Sequence, residues 1–417
     1  MAVHVIDEAN RCLQCKKPMC MQGCPIHTPI PMMIKAMREG RIEEAGEMLF
    51  GNNPLSMICS LVCNHENQCE GHCVLGRKGQ PVHISSIENY VSDTCFERIK
   101  IECAPSNGKK VAVIGAGPAG ITIAILLTKK GYSVTIFDSR DKIGGVLQYG
   151  IPEFRLPKSI LGRYKEKLQS IGIKVRPNTT IGGALEIKDL FRDGYQSIFI
   201  GTGVWRPKTL GIKGESLGNV HFAIDYLANP DAYDLGDHVA IIGVGNSAMD
   251  VARTVIRKGS RDVTLFARGK QSDASHEETQ YAMLDGAKFE YCKSPVEIND
   301  DGPVFRDVYF DEEGNITGYS EETQQVYADS VIISISQGPK SKLVNTTQGL
   351  KATKNGLLQT GESGETTVDG IFASGDVVLG AKTVVQAVAY SKTVADAMDR
   401  YMQEKEKREQ ENTGNED

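Results

Sequence analysis

No stretch of this chain is apolar for long enough to cross a bilayer. The longest run, Ile121 to Leu127, is already interrupted by Thr122, whereas a membrane helix needs about 20 apolar residues. Positive charge does not dominate either. Lys and Arg number 47 against 53 Asp and Glu, a formal net charge of −6, which leaves no basic footprint for nucleic acid. No apolar leader follows Met1, so a cytoplasmic location is expected. Beyond position 103 the only cysteine is Cys292, so that region has no C-x-x-C pair to run disulfide chemistry. No Ser/His/Asp or paired-carboxylate arrangement points to acid–base work on an organic substrate.

Cysteine is instead concentrated near the start. Cys12, Cys15, Cys20 and Cys24 form a C-x2-C-x4-C-x3-C run closed by Pro25, and Cys59, Cys63, Cys69 and Cys73 form C-x3-C-x5-C-x3-C. Eight thiolates at this density suit two four-iron clusters. A disulfide framework fits short secreted domains, not 417 residues with an odd total of 11 Cys. Structural zinc is the other alternative, with His27, His65, His72 and His83 nearby, but only Cys12 and Cys15 have the tight zinc-type spacing. Cys95, Cys103 and Cys292 lie outside any pattern and read as packing thiols.

A length of 417 residues with 40% hydrophobic content implies two to four domains with sizeable cores. Residues 1–105 read as a small helical iron-sulfur domain, in which Met33, Met37, Ile42 and Ala45 form one stripe along Ile30 to Leu49. A polar linker, Ala104 to Lys110, follows. Strands and helices then alternate, the pattern of a parallel α/β fold. The charged tail, 404–417, reads as frayed helix and then disorder.

Two glycine loops sit on strand–turn–helix patterns. The strand Lys110 to Ile114 runs into Gly115-Ala116-Gly117-Pro118-Ala119-Gly120, and the next strand ends at Asp138. In this context Gly115 allows the tight turn, Gly117 lets backbone approach a pyrophosphate and Gly120 lets helix pack on strand. Asp138 stands where an acid accepts from a ribose hydroxyl. A second copy follows His238 to Ile242, with Gly243, Gly245, Asn246 and Ser247 in its loop. There the acidic position is Ala267, followed by Arg268 and Lys270. Loss of the acid and gain of cations lean the second site toward NADPH over NADH, unless both are surface charges.

One dinucleotide fold inserted into another is the layout of flavin reductases, which makes 106–235 and 331–403 the FAD domain and 236–330 the NAD(P)H domain. Gly144-Gly145-Val146-Leu147-Gln148-Tyr149-Gly150-Ile151-Pro152-Glu153-Phe154-Arg155-Leu156-Pro157 resembles the signature of the glutamate synthase small-subunit family. That family includes the reductase portion or subunit of dihydropyrimidine dehydrogenase. The resemblance covers nearly the whole chain. It implies FAD contacts at Gly145, Leu147, Gly375 and Asp376, and a helix start at Thr383 and Val384 facing the flavin. It also implies interleaved clusters: Cys12, Cys15, Cys20 and Cys73 for one, and Cys24, Cys63, Cys69 and Glu88 for the other. Counting cysteines alone would instead use Cys59, so Glu88 against Cys59 stays open.

Nicotinamide delivers hydride, clusters take single electrons, and flavin converts between the two. The expected order is NAD(P)H to FAD to clusters, in an electron-input subunit of a hetero-oligomer that uses no nucleic acid and no membrane. A dihydropyrimidine dehydrogenase catalytic subunit is the first expectation for the partner; the glutamate synthase large subunit and a ferredoxin-linked partner are alternatives. A stand-alone zinc-containing flavin NAD(P)H oxidase or redox sensor is the reading from a different class.

Overall fold

The computed structural model describes residues 4–413. It divides into two compact units. Of the described residues, one comprises 4–148, 154–204 and 338–413, and the other 149–153 and 205–337.

The first unit opens with short helices, among them Val5–Asn10, Ile30–Arg38, Ile42–Asn52, Ser56–Val62 and Ile84–Cys95. The stripe expected along Ile30 to Leu49 is split in two. Gly40, at φ +77°, turns the chain between the helices, and Ile42 is only half-buried while Met33 and Ala45 are fully buried. Met33, Ile34, Leu49, Ile87 and Val91 form the core of this segment, with Cys12, Cys20 and Cys73 packed at its edge.

A parallel sheet follows, in the order Ile371–Ala373, Tyr195–Ile200, Lys110–Ile114, Ser133–Phe137, Lys174–Arg176. The helical segment is tied to this fold. The Tyr164 hydroxyl donates to the Pro54 carbonyl at 2.9 Å, the Phe96 and Tyr164 rings lie 4.6 Å apart, and Lys392 Nζ donates to the Asn52 carbonyl at 2.9 Å.

The last helix, Val384–Thr413, is longer than the sequence suggests. Frayed helix and then disorder was expected over 404–417; helix instead runs on to Thr413, and at its residues 402 and 406 the buried Lys109 ammonium donates to the Met402 carbonyl at 3.3 Å and to Glu406 at 2.6 Å. Residues 414–417 lie outside the described residues.

The second unit repeats the parallel design, in the order Val220–Phe222, Ser330–Ile333, His238–Ile242, Asp262–Phe266, Lys288–Glu290. An antiparallel sheet of Lys293–Asn299, Gly302–Phe310 and Ile316–Gln325 is added to it. The expected boundaries at 235/236 and 330/331 therefore fall inside this unit. Val220–Phe222 and Ser330–Ile333 pair with each other, and that pairing moves both strands out of the flanking domain. Among the described residues, no helix is long and apolar enough to cross a membrane.

Candidate functional site

In both parallel sheets the strand before the glycine loop is central. The following strands are laid on one side and a later strand on the other, so each loop leaves its sheet where the strand order reverses, the usual position of a ligand crevice. The two loops are near-copies. Gly115 sits at φ +105° and Gly243 at φ +125°. A Cβ would stand 2.5 Å from the Gly201 carbonyl oxygen at the first and 2.2 Å from that of Ser334 at the second. Only glycine meets both demands.

The second glycine of each loop faces room. A Cβ on Gly117 would meet nothing nearer than the Gly145 Cα at 4.0 Å, and on Gly245 nothing within 4 Å. Each is the N-cap of a 12-residue helix, Pro118–Lys129 and Asn246–Arg257, with Pro118 at the first turn of the former. Open space before free amide donors at a helix N-terminus fits a pyrophosphate. Gly145 adds to the first cradle: at φ +56°, a Cβ there would press on the Gly117 Cα at 2.9 Å. Gly144 N–H donates to the Ala116 carbonyl at 2.7 Å, and the Leu147 carbonyl accepts from Lys158 Nζ at 2.7 Å.

Asp138 is more occupied than its sequence position suggests. One carboxylate oxygen accepts from Ala116 N–H at 2.6 Å and the other from Arg140 N–H at 2.8 Å, so the side chain braces the glycine loop. Burial raises its pKa, against the pull of those two amides. Gly375, at φ +76°, precedes the short helix Asp376–Leu379. Burial lifts Asp376 to about 6, and its carboxylate accepts from Lys382 N–H at 3.2 Å. Gln386 Oε1 accepts from both Thr383 N–H at 3.1 Å and Thr383 Oγ1 at 2.8 Å, which fixes the start of the helix at Val384. In the second unit, Asn246 Oδ1 accepts from Ser275 N–H at 3.0 Å, and Ser247 is exposed. The two cations there differ: Lys270 donates to the Asp311 carbonyl at 3.3 Å and lies 4.9 Å from the Phe310 ring centre, whereas Arg268 is exposed.

The cysteines sort into two groups that cross the sequence runs. Cys12, Cys15, Cys20 and Cys73 line one pocket, whose other walls include Leu13, Ile30, Pro31, Ile34 and Leu75. Burial and the neighbouring thiols hold the Cys12 pKa above its ordinary value and push Cys20 to about 11. The second group is deeper: Cys24, Cys59 and Cys69 are buried, as is Glu88. Glu88 lies beside both Cys63 and Cys69, and Cys24 beside Cys69. Burial first and Glu70 second raise Glu88 to about 8. Cys63 lies beside Cys59, its N–H donating to the Cys59 carbonyl at 3.0 Å, so both candidates for the last corner stand at this group. Among the described residues, no three His, Cys, Asp or Glu side chains converge on a single metal ion; four thiols around a pocket suit a body larger than one ion. The donor set fits, since raised thiol pKa values are what bound iron would reverse by stabilising thiolate.

Residues 109–391 match the family described as pyridine nucleotide-disulphide oxidoreductase, and residues 2–100 match dihydropyrimidine dehydrogenase domain II, 4Fe-4S cluster. The chain is 33% identical to the glutamate synthase [NADPH] small chain of Escherichia coli K12, over 94% of its own length and 90% of that protein. It is 34% identical to that of Azospirillum brasilense, over 96% and 89%. The chain belongs to the glutamate synthase small-chain family. It is a NAD(P)H–flavin oxidoreductase with an iron-sulfur domain. Its fold matches that of Mycobacterium tuberculosis FprA, solved in complex with NADPH, at a TM-score of 0.60 and 17% identity, covering 73% of this chain and 86% of that one.

Two supports of this family site escaped the sequence reading. Gly201 directly follows the strand Tyr195–Ile200, and its carbonyl closes over Gly115. Its signal was visible as Gly201-Thr202-Gly203 after an apolar strand. Gln386 is the other: Thr383 followed three residues later by Gln is a helix-start pattern.

Proposed function

We propose that this chain is the electron-input subunit of a glutamate synthase-type enzyme. It takes hydride from NADPH, or NADH, onto FAD and delivers single electrons through two [4Fe-4S] clusters to a catalytic partner subunit in a hetero-oligomer. The observation that carries this reading is the four-cysteine pocket of Cys12, Cys15, Cys20 and Cys73 in the same unit as the Gly115–Gly120 cradle. When bound, flavin would supply the step between one hydride, which brings two electrons together, and clusters that take electrons one at a time.

The residues then have distinct tasks. Gly115, Gly117, Pro118 and Gly120 hold the FAD pyrophosphate at a helix N-terminus, and Gly145 and Leu147 close the cradle beside it. Asp138 keeps lone pairs for the ribose while bracing the loop. Asp376 accepts from the ribityl chain, and the amides after Thr383 and Val384 stabilise negative charge on the flavin edge. Gly243, Gly245, Asn246 and Ser247 bind the nicotinamide dinucleotide, with Arg268 beside the 2′-phosphate and Lys270 committed to its strand neighbour. Cys12, Cys15, Cys20 and Cys73 hold one cluster, and Cys24, Cys63, Cys69 and Glu88 the other. A dihydropyrimidine dehydrogenase partner, the first expectation from the sequence, gives way to the glutamate synthase large subunit, which the small-chain relatives favour.

Anaerobic addition of NADPH to the iron-loaded chain should bleach the flavin and reduce a dye. Adding a glutamate synthase large subunit should then yield glutamate from glutamine and 2-oxoglutarate. No bleaching by NADPH or NADH, or zinc in place of iron and acid-labile sulfide, would sink the electron-conduit reading.

A further inference from the structure

The two cysteine groups differ in what surrounds them. The group of Cys24, Cys63, Cys69 and Glu88 adjoins elements tied to the flavin fold. Tyr164, on the helix Lys158–Ser170, is fully buried close to Glu88 and Cys59, and Asn52 accepts from Lys392 on the helix that begins at Val384. The group of Cys12, Cys15, Cys20 and Cys73 is half-exposed. At its pocket Leu13 is 61% exposed, and Met32, next to the lining Pro31, is 54% exposed. Both leave apolar surface in water at the pocket.

The charge around the pocket leans positive, because the carboxylates that reach it are taken up: Glu8 by Arg11, Glu39 by Lys35 and Arg41, and Glu70 by the Ser85 N–H. All the pocket's lining residues fall within 11–38 and 73–87. These two segments contain Arg11, Lys16, Lys17, Lys35, Arg38, Arg77 and Lys78 and no Asp or Glu, in a chain whose net charge is −6. Lys16, Lys17, Arg38, Arg77 and Lys78 are exposed, and among the described residues none of these five forms an ion pair. On the helix Ile30–Arg38, Lys35 and Arg38 follow Pro31 at helical spacing, which puts them on the face that lines the pocket.

We infer that the face over Cys12, Cys15, Cys20 and Cys73 is the electron-exit docking surface, and that it fits a protein acceptor presenting an acidic rim around an apolar centre. This rests on the electron-conduit reading and adds which face delivers and what chemistry receives. An apolar centre excludes water from the contact while the cationic rim steers and orients an acidic partner, raising encounter rates about 10- to 1,000-fold at low salt.

The test uses the full iron-loaded chain, with an acidic ferredoxin as probe, basic cytochrome c as the opposite-charge control and a neutral dye as a measure of internal electron flow. Ferredoxin binding and NADPH-driven ferredoxin reduction should weaken about tenfold or more between low and physiological salt, and again in the double variant Lys16→Glu, Lys17→Glu. The variant should keep wild-type iron content and dye rate, and its cytochrome c reduction should rise. Ferredoxin binding that ignores both salt and charge reversal overturns the inference. So does a variant whose only change is a shifted cluster potential, since the lysines would then serve the cluster and not a partner. Failure of the wild-type chain to reduce even the dye would instead overturn the electron-conduit reading beneath it.

Discussion

At Gly120 the helix leans so closely on the turn before it that an added Cβ would stand 1.9 Å from the Gly115 carbonyl oxygen. Backbone cannot yield there without opening the cradle, so Gly120→Ala is expected to cost about 1–3 kcal/mol of stability and to purify with little flavin. Gly162 is the control. It is exposed within the helix Lys158–Ser170, with nothing within 4 Å of its Cβ position, and Gly162→Ala should stabilise by about 0.5–1 kcal/mol with flavin retained. Melting temperature and flavin absorbance read both. The fork at the buried cysteine group is also a single-residue question. Glu88→Ala is expected to lower bound iron and alter the magnetic resonance signature of one cluster, while Cys59→Ser leaves both unchanged; the opposite pattern assigns the corner to Cys59. The sequence supplied both candidates, but their common proximity to Cys63 depends on how the helices Ser56–Val62 and Ile84–Cys95 pack.

The strand–loop–helix units were legible because their signals are consecutive in the chain. Strand, glycine turn and helix start occupy neighbouring positions, and each glycine has a local reason to be there. Sheet membership was not legible in the same way. Val220–Phe222 and Ser330–Ile333 are short, far apart in sequence and joined only by tertiary pairing, so the domain boundaries drawn from composition missed them. The terminal helix tells a similar story, since its turn at Met402 to Glu406 is held by the distant Lys109. At this scale the nucleotide preference can be tested. Lys270 is occupied by the neighbouring strand, which leaves Arg268 as the cation for a 2′-phosphate. Arg268→Ala should raise the KM for NADPH about tenfold or more, the loss of one charge-assisted hydrogen bond, with little change for NADH. Equal effects on the two would return Arg268 to an ordinary surface charge.

For the molecule as a whole, the iron-sulfur segment and the nucleotide folds differ in what holds them. The helical core of Met33, Ile34, Leu49 and Ile87 has cysteine thiols along its edge, whereas the parallel sheets are closed by apolar strands and helices of their own. Chelating the iron anaerobically is therefore expected to speed amide exchange about tenfold or more in Ile30–Arg38 and Ile84–Cys95, while Lys110–Ile114 and His238–Ile242 keep their protection. Equal loss across all four elements would show that the clusters stabilise the nucleotide folds as well. By itself the sequence determined the chemistry available: eight clustered cysteines, two glycine loops and an acidic position turned to alanine with a cation after it, because each is a matter of residue type and short spacing. Only the tertiary structure decided which cysteines stand around one pocket, which strands belong to which sheet, and which cysteine group meets solvent near exposed cations. Those outcomes follow from packing between segments distant in the chain, which spacing along a sequence does not encode.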